Sequence, residues 1–301
     1  MRQTRSGRRS AAQLQPEQAP LPELALLPVL AIAGALTAVL VAYAGRYGYH
    51  RDELYFLECG KHLAWGYPDQ PPFVPLVARL MSDLAPGSLV ILRLPSALAA
   101  GVLVLLTGLL TRELRGGRTA QVLACAVIAL APVVTGAEHL LSTTSFNLLV
   151  SALLCWLLLR ILRAGDQRLW LAAGLAAGAG LLDTDLVAFL IFAVVVGLAV
   201  VGPRLPLRSG WFYAGGAIAL AMWSPYLAWQ AGHGWPELAV ARSIATGRSG
   251  TSAPWWLILP DGGLDRPRAH QGAPGPDRRR AGAQRRGAPD HPADPAGVGR
   301  A

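Results

Sequence analysis

Seven stretches of this chain are apolar for nearly as long as a bilayer is thick, and that feature leaves few folds open. A helix needs about 20 consecutive apolar residues to cross the hydrocarbon core of a membrane. The stretches lie at 24–44, 89–111, 119–137, 146–162, 169–182, 185–201 and 211–229. Charged residues make up only 15% of the 301, where a soluble domain carries about a quarter. The expected fold is an all-α polytopic membrane protein of about seven transmembrane helices.

The net charge of +9 raises a nucleic-acid partner, which the distribution of charge excludes. The arginines fall near the N-terminus, at the ends of apolar runs and in the last 40 residues, and they form no basic face interleaved with aromatics. Their placement sets an orientation instead. With the N-terminus cytoplasmic, the inner connections hold Arg112, Arg115 and Arg118, then Arg160, Arg163 and Arg168, then Arg204 and Arg208. The outer turns near 138–145 and 183–185 hold no Lys or Arg, the asymmetry that topology rules require of a plasma-membrane protein. Cys59, Cys125 and Cys155 form no CxxC pair, so neither a zinc knuckle nor a redox motif is indicated.

Residues 1–22 read as a disordered basic cytoplasmic leader, 23–259 as the transmembrane domain, and 260–301 as a low-complexity tail of Pro, Gly, Ala, Arg and Asp. The apolar start at Pro254–Leu259 is abandoned at Pro260, which gives the tail the look of an out-of-frame end. The first outer loop, 46–88, is too polar for the bilayer and too long for a turn. Within it, Asp52–Trp65 has the spacing of an interfacial helix. Pro71-Pro72 closes that element and opens a second helix over Phe73–Leu84. The fifth apolar run carries Gly174, Gly178 and Gly180 and is expected to pack closely on its neighbours. It and the sixth run read either as two spans or as one unit broken at Asp183-Thr184-Asp185.

Several of these residues carry a resemblance. Asp52-Glu53 follows the first span; Trp65-Gly66-Tyr67-x-Asp69-Gln70-Pro71-Pro72 comes next; Arg93-Leu94-Pro95-Ser96 lies in the second span. Glu138-His139-Leu-Leu-Ser142-Thr143-Thr144 and Trp229-Gln230-x-x-His233-Gly234-Trp235-Pro236 follow. Together they resemble bacterial membrane glycosyltransferases of the protein O-mannosyltransferase and aminoarabinose-transferase superfamily, over about residues 24–260. The resemblance implies the C-type glycosyltransferase fold and a polyprenyl-phosphate-linked sugar donor. It also implies an active site on the outer face and a lipid, glycan or protein acceptor, and it aligns Asp52 with the family's catalytic base, with Glu53 beside it. Where relatives carry an Asn-Lys pair after the fifth span, this chain has Asp183-Thr184-Asp185, which removes a cation that could meet the donor phosphate. Relatives are also longer, so a non-catalytic remnant of the family stands as a rival reading. A flippase for a lipid-linked substrate is the other, although the polar residues cluster at the outer boundary rather than at mid-membrane.

Glycosyl transfer from a lipid phosphate requires a base for the acceptor proton, positive charge or a metal for the leaving phosphate, and a shaped pocket. Asp52 and Glu53 are the catalytic candidates; the alternative is that both acids cap the interfacial helix. Arg93 lies in an apolar run, where it either binds phosphate bidentately or snorkels to the interface. Glu138 and His139 are candidates for donor or acceptor contact, or else form a solvated turn. Asp69 and Gln70 complete the candidate substrate site. Tyr55 and Trp65 could stack on sugar, or belong to an interfacial aromatic belt. His50, Glu58, His62 and Asp69 have no ligand spacing strong enough to assign a metal, although a divalent cation is compatible with the chemistry.

Overall fold

A computed structural model describes residues 20–204 and 206–247. Most of the basic leader, the abandoned apolar start and the 260–301 tail lie outside the described residues. Each of the seven apolar stretches is helical, so the chain is an all-α polytopic membrane protein. Three helices are individually long and apolar enough to cross a bilayer: α1 (Leu26–Tyr43), α4 (Leu89–Glu113) and α7 (Thr143–Ala164). The stretch expected as one span over 119–137 is α5 (Arg118–Leu130) and α6 (Pro132–Glu138), bent by 58°. The break has a backbone cause. Ala131 precedes a proline, which disfavours the helical conformation, and it is extended (φ −65°, ψ 124°).

The next two runs are separate helices, α8 (Leu169–Leu181) and α9 (Leu186–Val200), of 13 and 15 residues. At 1.5 Å per residue each is about 20 Å long, short of a hydrocarbon core of about 30 Å. The last run is α10 (Gly210–Gly232). It is long enough, but its six aromatics, Ser224, Pro225 and Gln230 make it less apolar. Pro225 leaves a helix carbonyl without its partner, and the Ser224 hydroxyl donates to Ala221 O at 2.9 Å nearby. A final short helix, α11 (Pro236–Ala245), follows.

Small residues govern the packing. On α4, Ala97, Ala100 and Val104 bury against Val29, Ala33, Leu36 and Leu40 of α1, and Cys125 and Ala129 of α5 close the same cluster. Between α8 and α10 the approach is tighter. A Cβ on Gly174 would stand 2.2 Å from Gly215 O, and one on Gly215 would stand 2.2 Å from Trp170 O. The expected close packing of the glycine-rich run is thus backbone against backbone. By contrast Phe189, Phe192 and Val200 of α9 are 73%, 68% and 69% exposed. Large apolar side chains left outside a folded chain are what a lipid-facing surface requires.

The interfacial pair of helices forms as α2 (Arg51–Lys61) and α3 (Phe73–Leu84). Phe56, Val74 and Ala78 pin them to Leu92, Ala99, Leu141 and Phe146 of the bundle. α2 stops four residues before the expected Trp65. The reason is Tyr67, whose hydroxyl folds back to lie 2.9 Å from Cys59 O and 3.2 Å from His62 O and accepts the Ala64 N–H. It occupies carbonyls that continued helix would need.

The two ends of the bundle differ in chemistry. At one end Arg112 Nε donates to Pro22 O at 2.9 Å, Arg163 and Arg160 reach Glu113, and Gln121 Nε2 donates to Glu23 O. At the other end the long polar connections converge. The Tyr47 hydroxyl donates to His139 O at 2.9 Å, Phe73 N–H donates to Leu182 O at 3.0 Å, and Gln230 Nε2 donates to Tyr67 O at 3.1 Å. Residues separated by as many as 163 positions are thereby joined.

Candidate active site

Two features occupy the loop end: a buried ion pair and an acidic cleft. The ion pair comes from α2 and α4. α2 begins at His50, whose Nδ1 accepts the Asp52 N–H, while the Glu53 carboxylate three residues on reaches back to the His50 N–H at 2.9 Å. This is the geometry by which an acid caps a helix start. The other demand on Glu53 comes from Arg93. Arg93 Nε donates to Glu53 Oε1 and Nη2 to Oε2, both at 2.7 Å. The remaining guanidinium donors go to Ala44 O and Gly48 O, and Tyr47 lies under the guanidinium at 4.2 Å. The Leu141 N–H donates to Glu53 Oε1 at 3.2 Å. Both side chains are buried, with 1% or less exposed. Burial by itself would raise the Glu53 carboxyl, but the hydrogen bonds from Arg93, His50 and Leu141 outweigh it and hold the group below its usual 4.5.

Arg93 and Glu53, expected to meet a phosphate and to stand beside the base, are therefore committed to each other. The arginine does not snorkel, since its side chain is only 1% exposed. Glu53 takes the capping role by accepting the His50 N–H. Asp52 has 47% of its side chain exposed and lies 3.1 Å from Arg51 Nε.

The cleft, of about 320 Å³, is lined by Asp69, Gln70, Thr143, Asp183, Thr184, Asp185 and Glu237, with Leu186 and Phe189 on its apolar wall. Asp183 and Asp185 occupy the turn between α8 and α9, and Glu237 lies in the first turn of α11. The Tyr226 hydroxyl lies between Asp185 Oδ2, at 3.2 Å, and a Glu237 carboxylate oxygen, and it accepts from Gln230 Nε2 at 3.0 Å. Gln230 Oε1 in turn accepts the Glu237 N–H. One buried glutamine thus ties α10, the 66–70 segment and α11 around the cleft. Gly66 permits this closure, since a Cβ there would stand 2.7 Å from Trp229 and 2.8 Å from Tyr226. Asp183 is 1% exposed, and among the described residues neither of its carboxylate oxygens has a hydrogen-bond partner. Burial pushes its carboxyl up to about 8; burial and the nearby Glu237 push Asp185 to about 8 as well.

Of the sequence-derived candidates, Asp69 and Gln70 line this cleft. Tyr55 reaches its edge by donating its hydroxyl to Asp69 Oδ1 at 2.5 Å; burial and that carboxylate hold the phenol above its ordinary range. Asp52 is one helical turn before Tyr55 on the same face of α2. Trp65 is 62% exposed beyond the end of α2. Glu138 is not a solvated turn residue but fully buried, and His139 Nδ1 is 3.2 Å from Thr135 O; neither lines the cleft. Among the described residues no three His, Cys, Asp or Glu side chains are gathered for a metal. Glu237 was missed, although Trp235-Pro236-Glu237 carries the proline and acid of a helix start.

A family model described as dolichyl-phosphate-mannose-protein mannosyltransferase matches residues 69–229, more than half of the chain. The match begins at Asp69 and takes in Asp183 and Asp185. No curated protein and no solved structure matches the chain.

Proposed function

The chain belongs to the dolichyl-phosphate-mannose-protein mannosyltransferase family and is a membrane glycosyltransferase of the C-type class; from that premise we propose that it moves a sugar from a polyprenyl-phosphate donor to a hydroxyl of a lipid, glycan or protein. The observation that carries this reading is the cleft. It carries four carboxylates, it lies at one end of a membrane bundle, and it stands beside the lipid-facing residues Leu186 and Phe189 of α9. A lipid-borne sugar would approach from the bilayer along that wall, while an acceptor would approach from water past Asp52 and Trp65.

In the transfer, the acceptor oxygen forms a bond to C1 of the sugar. The C1–O bond to phosphate breaks, and polyprenyl phosphate leaves with the electron pair, so the anomeric configuration inverts. Asp52 takes the acceptor proton: its carboxylate is accessible, and it is one helical turn from the Tyr55–Asp69 contact at the cleft edge. Glu53 and Arg93 are positioning residues in this scheme. They lock the start of α2 to α4, and with it the direction in which Asp52 points. Asp69, Gln70 and Thr143 meet the sugar hydroxyls.

The experiment is a transfer assay on the full chain in lipid, read as release of polyprenyl phosphate from donors carrying different hexoses and pentoses. The wild type is expected to consume at least one donor, and Asp52→Asn to consume none while still inserting in the membrane. Equal turnover by Asp52→Asn would remove Asp52 as the base, and an inert wild type would remove the activity. The loop end faces the outside of the plasma membrane in this scheme, with the N-terminus cytoplasmic. A membrane-impermeant thiol reagent should then label Trp65→Cys in intact cells, in a chain whose three native cysteines are serine. Labelling only after lysis would reverse the orientation.

A further inference from the structure

α11 closes one side of the cleft without being packed into the bundle. Glu237 and Ala241, one helical turn apart on α11, line the cleft. None of the ten residues of α11 is buried, and its Leu238 and Ile244 are 53% and 49% exposed. α3, of similar length, buries Val74, Pro75 and Ala78. Elements with few buried apolar contacts are the ones that open locally. The ties of α11 to α10 lie at its start. The Trp235 N–H donates to Gln230 O at 2.9 Å, the Glu237 N–H donates to Gln230 Oε1 at 3.4 Å, and the Glu237 carboxylate meets the Tyr226 hydroxyl. The turn before α11 holds Gly234 and Trp235 at φ +74° and +58°. A bulky side chain keeps that left-handed conformation only where its surroundings hold it there.

A count of protons shows what holds the helix. The Tyr226 hydroxyl has one hydrogen and three neighbours: Gln230 Nε2 at 3.0 Å, Asp185 Oδ2 at 3.2 Å and a Glu237 carboxylate oxygen. Gln230 Nε2 also donates to the Tyr67 carbonyl at 3.1 Å, which fixes the amide as a donor toward Tyr226. The phenol oxygen therefore accepts from Gln230, and its hydrogen goes to one carboxylate. The second carboxylate bonds to the phenol oxygen only if it carries a proton of its own. We propose that α11 is a pH-sensitive lid on the cleft, latched by one carboxyl proton held between Asp185, Glu237 and the Tyr226 hydroxyl. Loss of that proton leaves two carboxylates competing for one hydroxyl and repelling each other, and the lid lifts about the 233–235 turn. The other titratable groups facing the latch are Asp69 of the 66–70 segment, with Tyr55 upon it, and Asp183 of the α8–α9 turn. Arg242, the other charged residue of α11, is exposed and outside the cleft lining. Burial and Glu237 push the Asp185 carboxyl up to about 8, whereas in an open, solvated cleft it returns to the usual 3.8. Closing thus takes up a proton. The ratio of closed to open lid falls about tenfold per pH unit as pH rises from about 4 to about 8, then levels off. Nothing in the latch depends on the transfer reading, and its measure is a distance rather than a turnover.

The test is double electron–electron resonance on the full chain in nanodiscs, with its three native cysteines changed to serine. Spin labels go on Ala239→Cys in α11 and Lys61→Cys at the end of α2, both exposed positions. This labelled parent is expected to show one distance at pH 6 and a second population that grows in by pH 9. Its closed-to-open ratio should fall at least about tenfold between pH 6 and pH 8. Asp185→Asn keeps a donor for the phenol oxygen but does not titrate, so it should hold the first distance at both pH values. Tyr226→Phe removes the shared hydroxyl and should show both populations already at pH 6. Asp83→Asn, which breaks an exposed pair with Arg79 on α3, should titrate as the parent does. Tryptophan fluorescence of each variant confirms that it is folded. If Tyr226→Phe does not fold, the parent and the nearly isosteric Asp185→Asn still decide. The same distances at pH 6 and pH 9 in the parent, or an Asp185→Asn chain that titrates like the parent, overturn the proposal. A lid that titrates in a chain inert in the transfer assay keeps the latch and removes the transferase.

Discussion

Arg93→Met tests whether the arginine holds the fold or the substrate. In the wild type the guanidinium makes two 2.7 Å bonds to Glu53 and satisfies Ala44 O and Gly48 O. Without it, a carboxylate with no exposed surface keeps only the His50 and Leu141 N–H donors. Removing one member of a buried ion pair costs about 3–5 kcal/mol, because the other charge stays buried and uncompensated. Gly48 O lies in an exposed segment and can turn to water, whereas the buried Ala44 O loses its donor, which adds about 1–3 kcal/mol. The loss is a large share of a stability of about 5–15 kcal/mol. Cys125, 0% exposed in the α1–α4–α5 cluster, serves as reporter: its reaction with a thiol-specific dye follows unfolding of the detergent-solubilised chain. Glu53→Met should cost a similar amount, and the double variant Glu53→Met/Arg93→Met should recover most of the loss, since a well-packed apolar pair often replaces an ionic one without penalty. A loss below about 1 kcal/mol for Arg93→Met, the level of an exposed pair, would refute the argument. So would a double variant whose cost is the sum of the two singles, because residues in contact are not additive.

Two further outcomes follow from the packing and the charges. Gly174→Ala places a methyl 2.2 Å from Gly215 O, whereas Gly34→Ala on α1 meets nothing within 4 Å; the first should lose at least about 1–3 kcal/mol, the usual cost of overpacking, and the second none, as read by the same dye assay. Burial would raise the Glu53 carboxyl, but Arg93 and the His50 and Leu141 N–H groups hold it below 4.5. Its contribution is therefore complete above 4.5 and is lost as pH falls through the depressed value; Glu53→Gln should flatten stability against pH in that acid window, and an unchanged slope would show that other groups carry the acid sensitivity.

The fold was legible where hydropathy alone decides it and was misread where the backbone does. All seven apolar runs are helices, because bilayer-length apolar segments have no other way to satisfy their backbone. The break at Ala131-Pro132 was equally visible as a dipeptide that resists helix, but a hydropathy window takes no account of φ. The early stop of α2 was not visible, since it depends on where the Tyr67 hydroxyl lands after the chain turns.

The site divided along similar lines. Asp69-Gln70-Pro71-Pro72 stood out locally, as an acid beside a helix-opening proline pair, and its first three residues line the cleft. Arg93 stood out too, as a cation in an apolar run that needs an anion. Electrostatics alone does not say which anion: a phosphate and the chain's own Glu53, 40 residues away, meet the same demand. A single sequence fixes the sign of the missing partner and not its address. The same logic runs in reverse at Asp183-Thr184-Asp185. Read along the chain, these acids are only a lysine lost between two apolar helices. With Asp69 and Glu237 around them, an unpartnered carboxylate at 1% exposure has no cation within the described lining to answer it. The buried pair Glu53–Arg93 balances its charge within the protein, whereas the described lining of the cleft holds carboxylates and no Lys or Arg.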